Sequence, residues 1–319
     1  MTGPALAATM REAVRLAAER PPPLAVAGLA DYFDDLTRQS IVRAEQELGS
    51  PPTPYTWISL GSHARRELSL ASDQDNAIVL ADDSRDAVEF GRRLAERVVA
   101  DLEAAGLRRC DGNYMATTWC RSLADWRSSL RDRFANPTPQ ELVDASVFLD
   151  LRPVHGSLDI GDLQETLLRA ATSARLLQGL ARAAVTFPVG LTPFGRMRLV
   201  KGRFDTKKGG LAPLVMLSRL YGLAAGTSTP ATTMRLQAAE QTSQLSSDSV
   251  RELVSAYTLL TRLRLQQQLF DVQRSQPVDD TVPRARMTRE DESMVHRSLR
   301  SVRVVQQATA LRFRTRAEA

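Results

Sequence analysis

Trp57-Ile58-Ser59-Leu60-Gly61-Ser62-His63-Ala64-Arg65-Arg66-Glu67-Leu68-Ser69-Leu70-Ala71-Ser72-Asp73-Gln74-Asp75-Asn76-Ala77-Ile78-Val79-Leu80 reads as an apolar strand, a Gly-Ser turn, a short helical stretch, a loop, an Asp-x-Asp pair and a second apolar strand. Each part suits the handling of a polyphosphate. Gly61 has no side chain to block close approach of the backbone to a phosphate. Ser62 opens the helical stretch, where its hydroxyl and the first amides can meet phosphate oxygens. Asp73 and Asp75 are two apart on an extended chain, so both carboxylates point to one side. Hard oxygen ligands grouped in this way form a Mg²⁺ site when substrate phosphates complete the octahedron. A pair of such ions about 3.5–4 Å apart stabilises the attacking and leaving oxygens of an in-line displacement. Arg65 and Arg66 lie one helical turn beyond Ser62. One of them is placed to reach a phosphate bidentately, and the other to pair with Glu67 or another nearby acid. A bare Gly-Ser pair ahead of Asp-x-Asp is commonly structural. Here the first follows a strand and the second opens one, with ten residues between Ser62 and Asp73, and that setting points to phosphate chemistry.

Outward from this stretch the chain divides by pattern. Residues 5–20 read as a short helix stopped by Pro21-Pro22-Pro23, and a second helix covers 27–48 until Gly49 and the prolines at 51, 52 and 54 end it. Residues 84–105 make an amphipathic helix closed by Gly106, and 122–134 another. Ala145 to Leu151 is short and apolar and reads as a third core strand. After Asp159 the pattern is almost wholly helical, with helices near 160–185, 211–225, 231–242, 247–271 and 288–313, and 273–287 reads as an exposed connection. The expected architecture is α+β: a helical prefix over 1–48, a small domain with a mixed sheet and flanking helices over 49–155, and an all-helical domain over 156–319.

The composition narrows the class. A chain of 319 residues with 43% hydrophobic content can bury a real core, and 5% aromatics with abundant Ala, Leu and Arg favours helices over a β-sandwich. A net charge of +5 is a small excess with acidic and basic residues interspersed, which argues against a dedicated nucleic-acid binder. Cys110 and Cys120 form neither a zinc-ligand pattern nor a disulfide framework, and read as ordinary reduced thiols. No basic start leads into an apolar run and no stretch approaches the ~20 apolar residues of a membrane span, so the expected location is cytoplasmic.

At Gly61, Ser62, Arg65, Glu67, Ser72, Asp73, Asp75 and Asn76 the chain resembles the signature of the polymerase-β nucleotidyltransferase superfamily, Gly-Ser-x-Gly-Arg-x-Glu followed by Thr/Ser-Asp-x-Asp-Asn. It departs at Ala64, a small residue where the family has Gly. More closely it resembles signal-transduction nucleotidyltransferases that in other chains carry CBS and cyclic-nucleotide-binding modules upstream, and it is similar to the uridylyltransferases that modify the nitrogen-signalling PII protein. Three further blocks carry the likeness: Cys110-Asp111-Gly112-Asn113-Tyr114-Met115-Ala116, Phe148 to Gly156, and Phe204 to Pro213, with Trp126 between the first two. The likeness spans about 30–270, and the upstream modules are expected to be absent, since a helical prefix of 48 residues cannot hold them.

The resemblance implies an enzyme that moves a nucleoside monophosphate from an NTP such as ATP to the hydroxyl of a protein or small molecule, with release of pyrophosphate. Mg²⁺ is the implied cofactor, with Mn²⁺ as its substitute, and a regulatory protein is one class of acceptor. Catalysis is assigned to Asp73, Asp75 and Asp150, which also form the expected metal set. Nucleotide binding is assigned to Gly61, Ser62, Arg65, Arg66, Lys207 and Lys208. Asp150 falls in the expected core strand, where a charge is costly unless paired or metal-bound. Its alternative is a salt bridge to Arg152 or another arginine. Every lysine falls within Lys201–Lys208; Lys207 and Lys208 either contact phosphate or form a solvated loop, and Asp205 is placed to cap the following helix. His63 adjoins Ser62, yet surface exposure is its expected setting. The arginines at 297, 300, 303, 312, 314 and 316 read as a solvated helix face, with phosphate or RNA contact as the alternative. Competing readings are a non-catalytic nucleotide sensor and a helical nucleic-acid or protein-interaction scaffold, and an oligomer is compatible with the sequence.

Overall fold

A computed structural model describes residues 22–135, 146–171 and 173–315, together with Glu12, Val14, Arg15 and Leu142. The helix expected over 5–20 lies mostly outside the described residues. The chain forms two compact units, one of Met1–Arg133 with Ser146–Leu167, the other of Phe134–Ala145 with Leu168–Ala319.

The first unit is built on a four-stranded sheet. Its strands are β1 (Tyr55–Leu60), β3 (Asn76–Leu80), β5 (Cys120–Ser122) and β6 (Leu151–Gly156), in the order β5-β3-β1-β6. β1 runs antiparallel to both β3 and β6, while β3 and β5 are parallel. Every residue of β1 and β3 is buried, which is why both read as unbroken apolar runs rather than alternating ones. The helices α1 (Pro22–Leu48) and α3 (Arg85–Ala104) cover one face. Trp57, Ile78, Leu94, Val98 and Val99 meet in a core there that also takes Ile41 and Ala44 from α1. Ser84 caps α3 by accepting the Ala87 N–H, and Phe90, Leu94, Val98 and Leu102 fall on its buried stripe. α4 (Leu123–Ala135) follows β5, and its Trp126 donates Nε1–H to the Ile78 carbonyl at 2.9 Å.

Of the run expected as a strand over Ala145 to Leu151, residues 146–150 are not extended. Ser146–Leu149 form a 3₁₀ turn with Ser146, Phe148 and Leu149 buried, and the strand begins only at Leu151. A short buried apolar run has no periodicity that separates strand from turn. Pro153 lies within β6 and pairs opposite Ile58 at the sheet edge; an edge strand tolerates a missing N–H.

Among its described residues the second unit is helical apart from one two-stranded ribbon and two isolated bridges, Leu191–Met197 and Val200–Arg203. Its helices are α6 (Ala174–Thr186), α7 (Ala212–Ala224), α8 (Thr232–Gln241), α9 (Ser247–Gln273) and α10 (Arg289–Arg312), with α5 (Gly161–Ala171) leading in from the first unit. The single helix expected over 160–185 is thus two. Ser173 adopts an extended conformation with ψ 119° and starts a new helix at Ala174, a position that suits a serine. The connection over 273–287 also contains structure: β8 (Thr281–Pro283) pairs antiparallel with β7 (Arg203–Asp205) and buries Val282. Among the described residues no helix is long and apolar enough to cross a membrane.

Candidate active site

The chain leaves β1 at Leu60 and turns sharply at Gly61, whose φ of +55° lies in the left-handed region that favours glycine. Gly61 to Ala64 form a single helical turn, α2. Two backbone hydrogen bonds fix this corner. The Gly61 N–H donates to the Asp150 carbonyl at 3.1 Å, and the Leu60 N–H donates to the Asp75 carbonyl at 2.9 Å. A Cβ on Gly61 would stand 2.8 Å from Asp75 Oδ2, so the absent side chain makes room for that carboxylate. Ser62 is half-buried on the same turn.

The acidic pair is set by a second, small ladder. β2 (Asp73–Gln74) runs parallel to β4 (Arg108–Arg109), with Asp73 opposite Arg108 and Gln74 opposite Arg109. Two residues beyond each partner, Asp75 and Cys110 therefore arrive side by side. Asp73, Asp75 and Cys110 each offer a ligand atom, and the three atoms lie within 4.8 Å of one another. All three residues are half-buried. The residues between and after the acids anchor the loop inward. Buried Gln74 donates to the carbonyls of Val99 and Leu107 at 3.3 Å, and Asn76 Oδ1 accepts the Ala116 N–H at 2.8 Å. Burial pushes the Cys110 thiol up to about 12, and the charge of Asp75 and a hydrogen bond to it add to the rise. Two carboxylates converging with a third donor fit a divalent cation.

The arginines of the motif are engaged by protein acids. Arg65 is mostly buried and spans two carboxylates: Nη1 lies 2.5 Å from Asp150 Oδ2 and Nε 2.7 Å from Glu67 Oε2. Burial works against its charge, but Asp150 and then Glu67 outweigh that, and the guanidinium's pKa is raised. Asp150 is fully buried just ahead of β6, and its carboxylate lies outside the three-ligand group. Arg66, at φ +59°, pairs with Asp31 of α1 at 2.5 Å on the surface.

His63 is not at the surface. It is 5% exposed, and its Nε2 lies 2.8 Å from Asp34 Oδ1. Asp34 projects from α1 and is itself 1% exposed; Arg152 of β6 reaches it at 2.8 Å. Arg152 also donates to the carbonyls of Ala64 and His63 at 3.3 Å. The turn that follows Gly61 is thus tied from behind to both a helix and an edge strand. Burial alone would raise the Asp34 pKa; the contacts from His63 and Arg152 more than reverse this and hold it at about 2.

Lys207 and Lys208 belong to the helical unit, in a π-turn over Lys207–Leu211 that leads into α7. Lys207 Nζ lies 3.8 Å from Asp280 Oδ2, and Asp205 Oδ1 accepts the Lys208 N–H at 2.7 Å, so Asp205 caps this turn. Two residues of the site were silent in the sequence. Cys110 sat in a recognisable block but carried no ligand signal until the β2–β4 register set it beside Asp75. Asp34 was one of several acids on an amphipathic helix.

Residues 8–140 match the family model described as "Putative nucleotidyltransferase DUF294", and residues 174–313 match the model described as "Putative nucleotidyltransferase substrate binding domain". The first match covers β1 to β5 and ends before β6, and the second covers α6 to α10. No curated protein matches the chain.

Proposed function

Because the chain belongs to the DUF294 family of nucleotidyltransferases, we propose that it transfers a nucleoside monophosphate from an NTP to an acceptor hydroxyl, on a protein or a small molecule, with release of pyrophosphate. The observation that carries this reading is the convergence of Asp73 and Asp75, with Cys110, beside the Gly61 corner.

In this proposal Asp73 and Asp75 hold Mg²⁺ or Mn²⁺. The cation, when bound, neutralises the triphosphate and polarises the phosphoryl group under attack. Gly61 lets the backbone come close to the phosphate chain, and the Ser62 hydroxyl, half-buried on the same turn, offers a hydrogen bond to it. Arg65 and Arg66 contribute positive charge near the corner, Arg65 while bound to Asp150 and Glu67 and Arg66 from the surface. Asp150, assigned from the sequence as a third catalytic carboxylate, is proposed in a different part. Neutralised by Arg65 and joined to Gly61 through its carbonyl, it fixes the corner behind the ligand group. Lys207 and Lys208, in the helical unit, are proposed as nucleotide-binding residues that act as point charges. The protein's contribution is therefore mainly positioning and electrostatic stabilisation.

The test is a pyrophosphate-release assay with ATP, UTP, CTP and GTP, with and without Mg²⁺ or Mn²⁺, on the wild type and on Asp73→Asn. Metal-dependent release that Asp73→Asn abolishes is the expected result. Tight metal-dependent nucleotide binding with no release for any acceptor supplied would overturn the transferase reading in favour of a nucleotide sensor.

A further inference from the structure

The helical unit carries an apolar and basic groove that the transfer chemistry does not use. Between α6 and β7 the chain makes a tight turn, closed by the Gly195 N–H to the Thr192 carbonyl at 2.9 Å and the Thr192 N–H to the Arg196 carbonyl at 2.7 Å. At its tip Phe194 is 93% exposed. A loop bearing so exposed an aromatic would ordinarily be free to fold it inward, but this one is held against α10. His296 Nε2 lies 2.6 Å from the Gly195 carbonyl, Arg303 donates to Leu191, and Gln306 donates to the carbonyls of Ala184 and Phe187 at 2.7 and 2.9 Å. The aromatic ring is therefore presented on a fixed scaffold.

On either side of this turn are two cavities of about 500 and 460 Å³. They share Leu191, Pro193, Arg303 and Gln307, and so adjoin one another as a groove along α10. Apolar side chains line it, with Phe187, Pro188 and Leu191 at one end and exposed Phe194 and Val304 at the rim of the other. Arg198, Arg300 and Arg303 line it, and among the described residues none of the three has an acidic partner. Fixed exposed aromatics ringed by arginine are the residue types that dominate protein interfaces. Unpaired positive charge beside an apolar lining is complementary to a chain segment that brings carboxylates and apolar side chains together.

We propose that this groove docks a protein partner through an acidic segment bearing at least one aromatic or aliphatic anchor. Phe194 and the apolar lining take the anchor, and Arg198, Arg300 and Arg303 take the carboxylates. A nucleic acid would use the arginines and stack a base on Phe194, but would leave Pro188, Leu191 and Val304 uncovered. The inference does not depend on the transferase reading, because its test measures binding alone.

The test is selection of a random peptide library on the full chain, with counter-selection on a variant carrying Phe194→Ser, Arg300→Glu and Arg303→Glu. Selected peptides are then measured by fluorescence anisotropy against wild type, Phe194→Ser alone, and the Arg300→Glu, Arg303→Glu pair. These side chains are at or near the surface, and melting curves verify that each variant is folded. The expected result is enrichment of peptides with net negative charge and an apolar anchor, with affinity lowered on the order of tenfold or more by either set of substitutions. No enrichment, enrichment of basic or wholly polar peptides, or binding indifferent to the substitutions overturns the proposal. So does displacement of the peptides by RNA or by phosphatidylserine vesicles whose own binding those substitutions abolish.

Discussion

The carboxylate of Asp75 lies so close over Gly61 that a Cβ there would stand 2.8 Å from its Oδ2. Glycine at this position serves two needs together: a left-handed backbone and space for a ligand oxygen. Gly61→Ala is expected to leave the fold in place at a cost of about 1–2 kcal/mol. Divalent-metal affinity, followed by Mn²⁺ electron paramagnetic resonance or calorimetry, should fall roughly 10–100-fold. Unchanged affinity would mean that Asp75 does not ligate from this position.

Cys110 brings a soft donor to a site otherwise made of carboxylates. Cys110→Ser should lower affinity for Cd²⁺ more than for Mg²⁺ or Mn²⁺, because only the soft ion gains from sulfur. Competition titrations of the three metals against wild type and variant read this directly. An equal loss for all three would assign Cys110 to orienting Asp75 rather than to the metal.

The Arg65–Asp150 pair carries structural load. Asp150 is fully buried, and Arg65 is the cation held against its carboxylate at 2.5 Å. Arg65→Ala removes a cation from a fully buried carboxylate, and breaking a buried pair costs about 3–5 kcal/mol. Urea denaturation should show the midpoint fall by a corresponding amount with little change in slope. A loss under about 1 kcal/mol, as seen for surface pairs, would show that Asp150 finds its compensation elsewhere.

Asp34 makes the first unit sensitive to acid. Its folded pKa is depressed to about 2 from an ordinary 3.8, so the charged form is favoured by folding. The stabilisation, about 2 kcal/mol for a shift of this size, is present above pH ~4 and is lost as pH falls from there toward 2. Stability measured against pH should show this slope in wild type. Asp34→Asn should be less stable at neutral pH and should lack that component of the acid slope.

The two strands, the glycine turn and the Asp-x-Asp pair were legible in the sequence because they are local. Strand burial writes itself as an apolar run, a left-handed corner calls for glycine, and a spacing of two puts carboxylates on one side of an extended chain. The helices after Asp159 were legible for the same reason, through their periodicity and their punctuating residues. What surrounds the acids was not. The β2–β4 register sets Cys110 beside Asp75, a fold-level alignment sets Asp34 behind His63, and a buried pairing engages Arg65 with Asp150 rather than leaving it free for phosphate. These partners lie far apart along the chain. Which distant side chains meet depends on how the sheet and its covering helices pack, and that packing leaves no periodicity in the sequence from which it could be read.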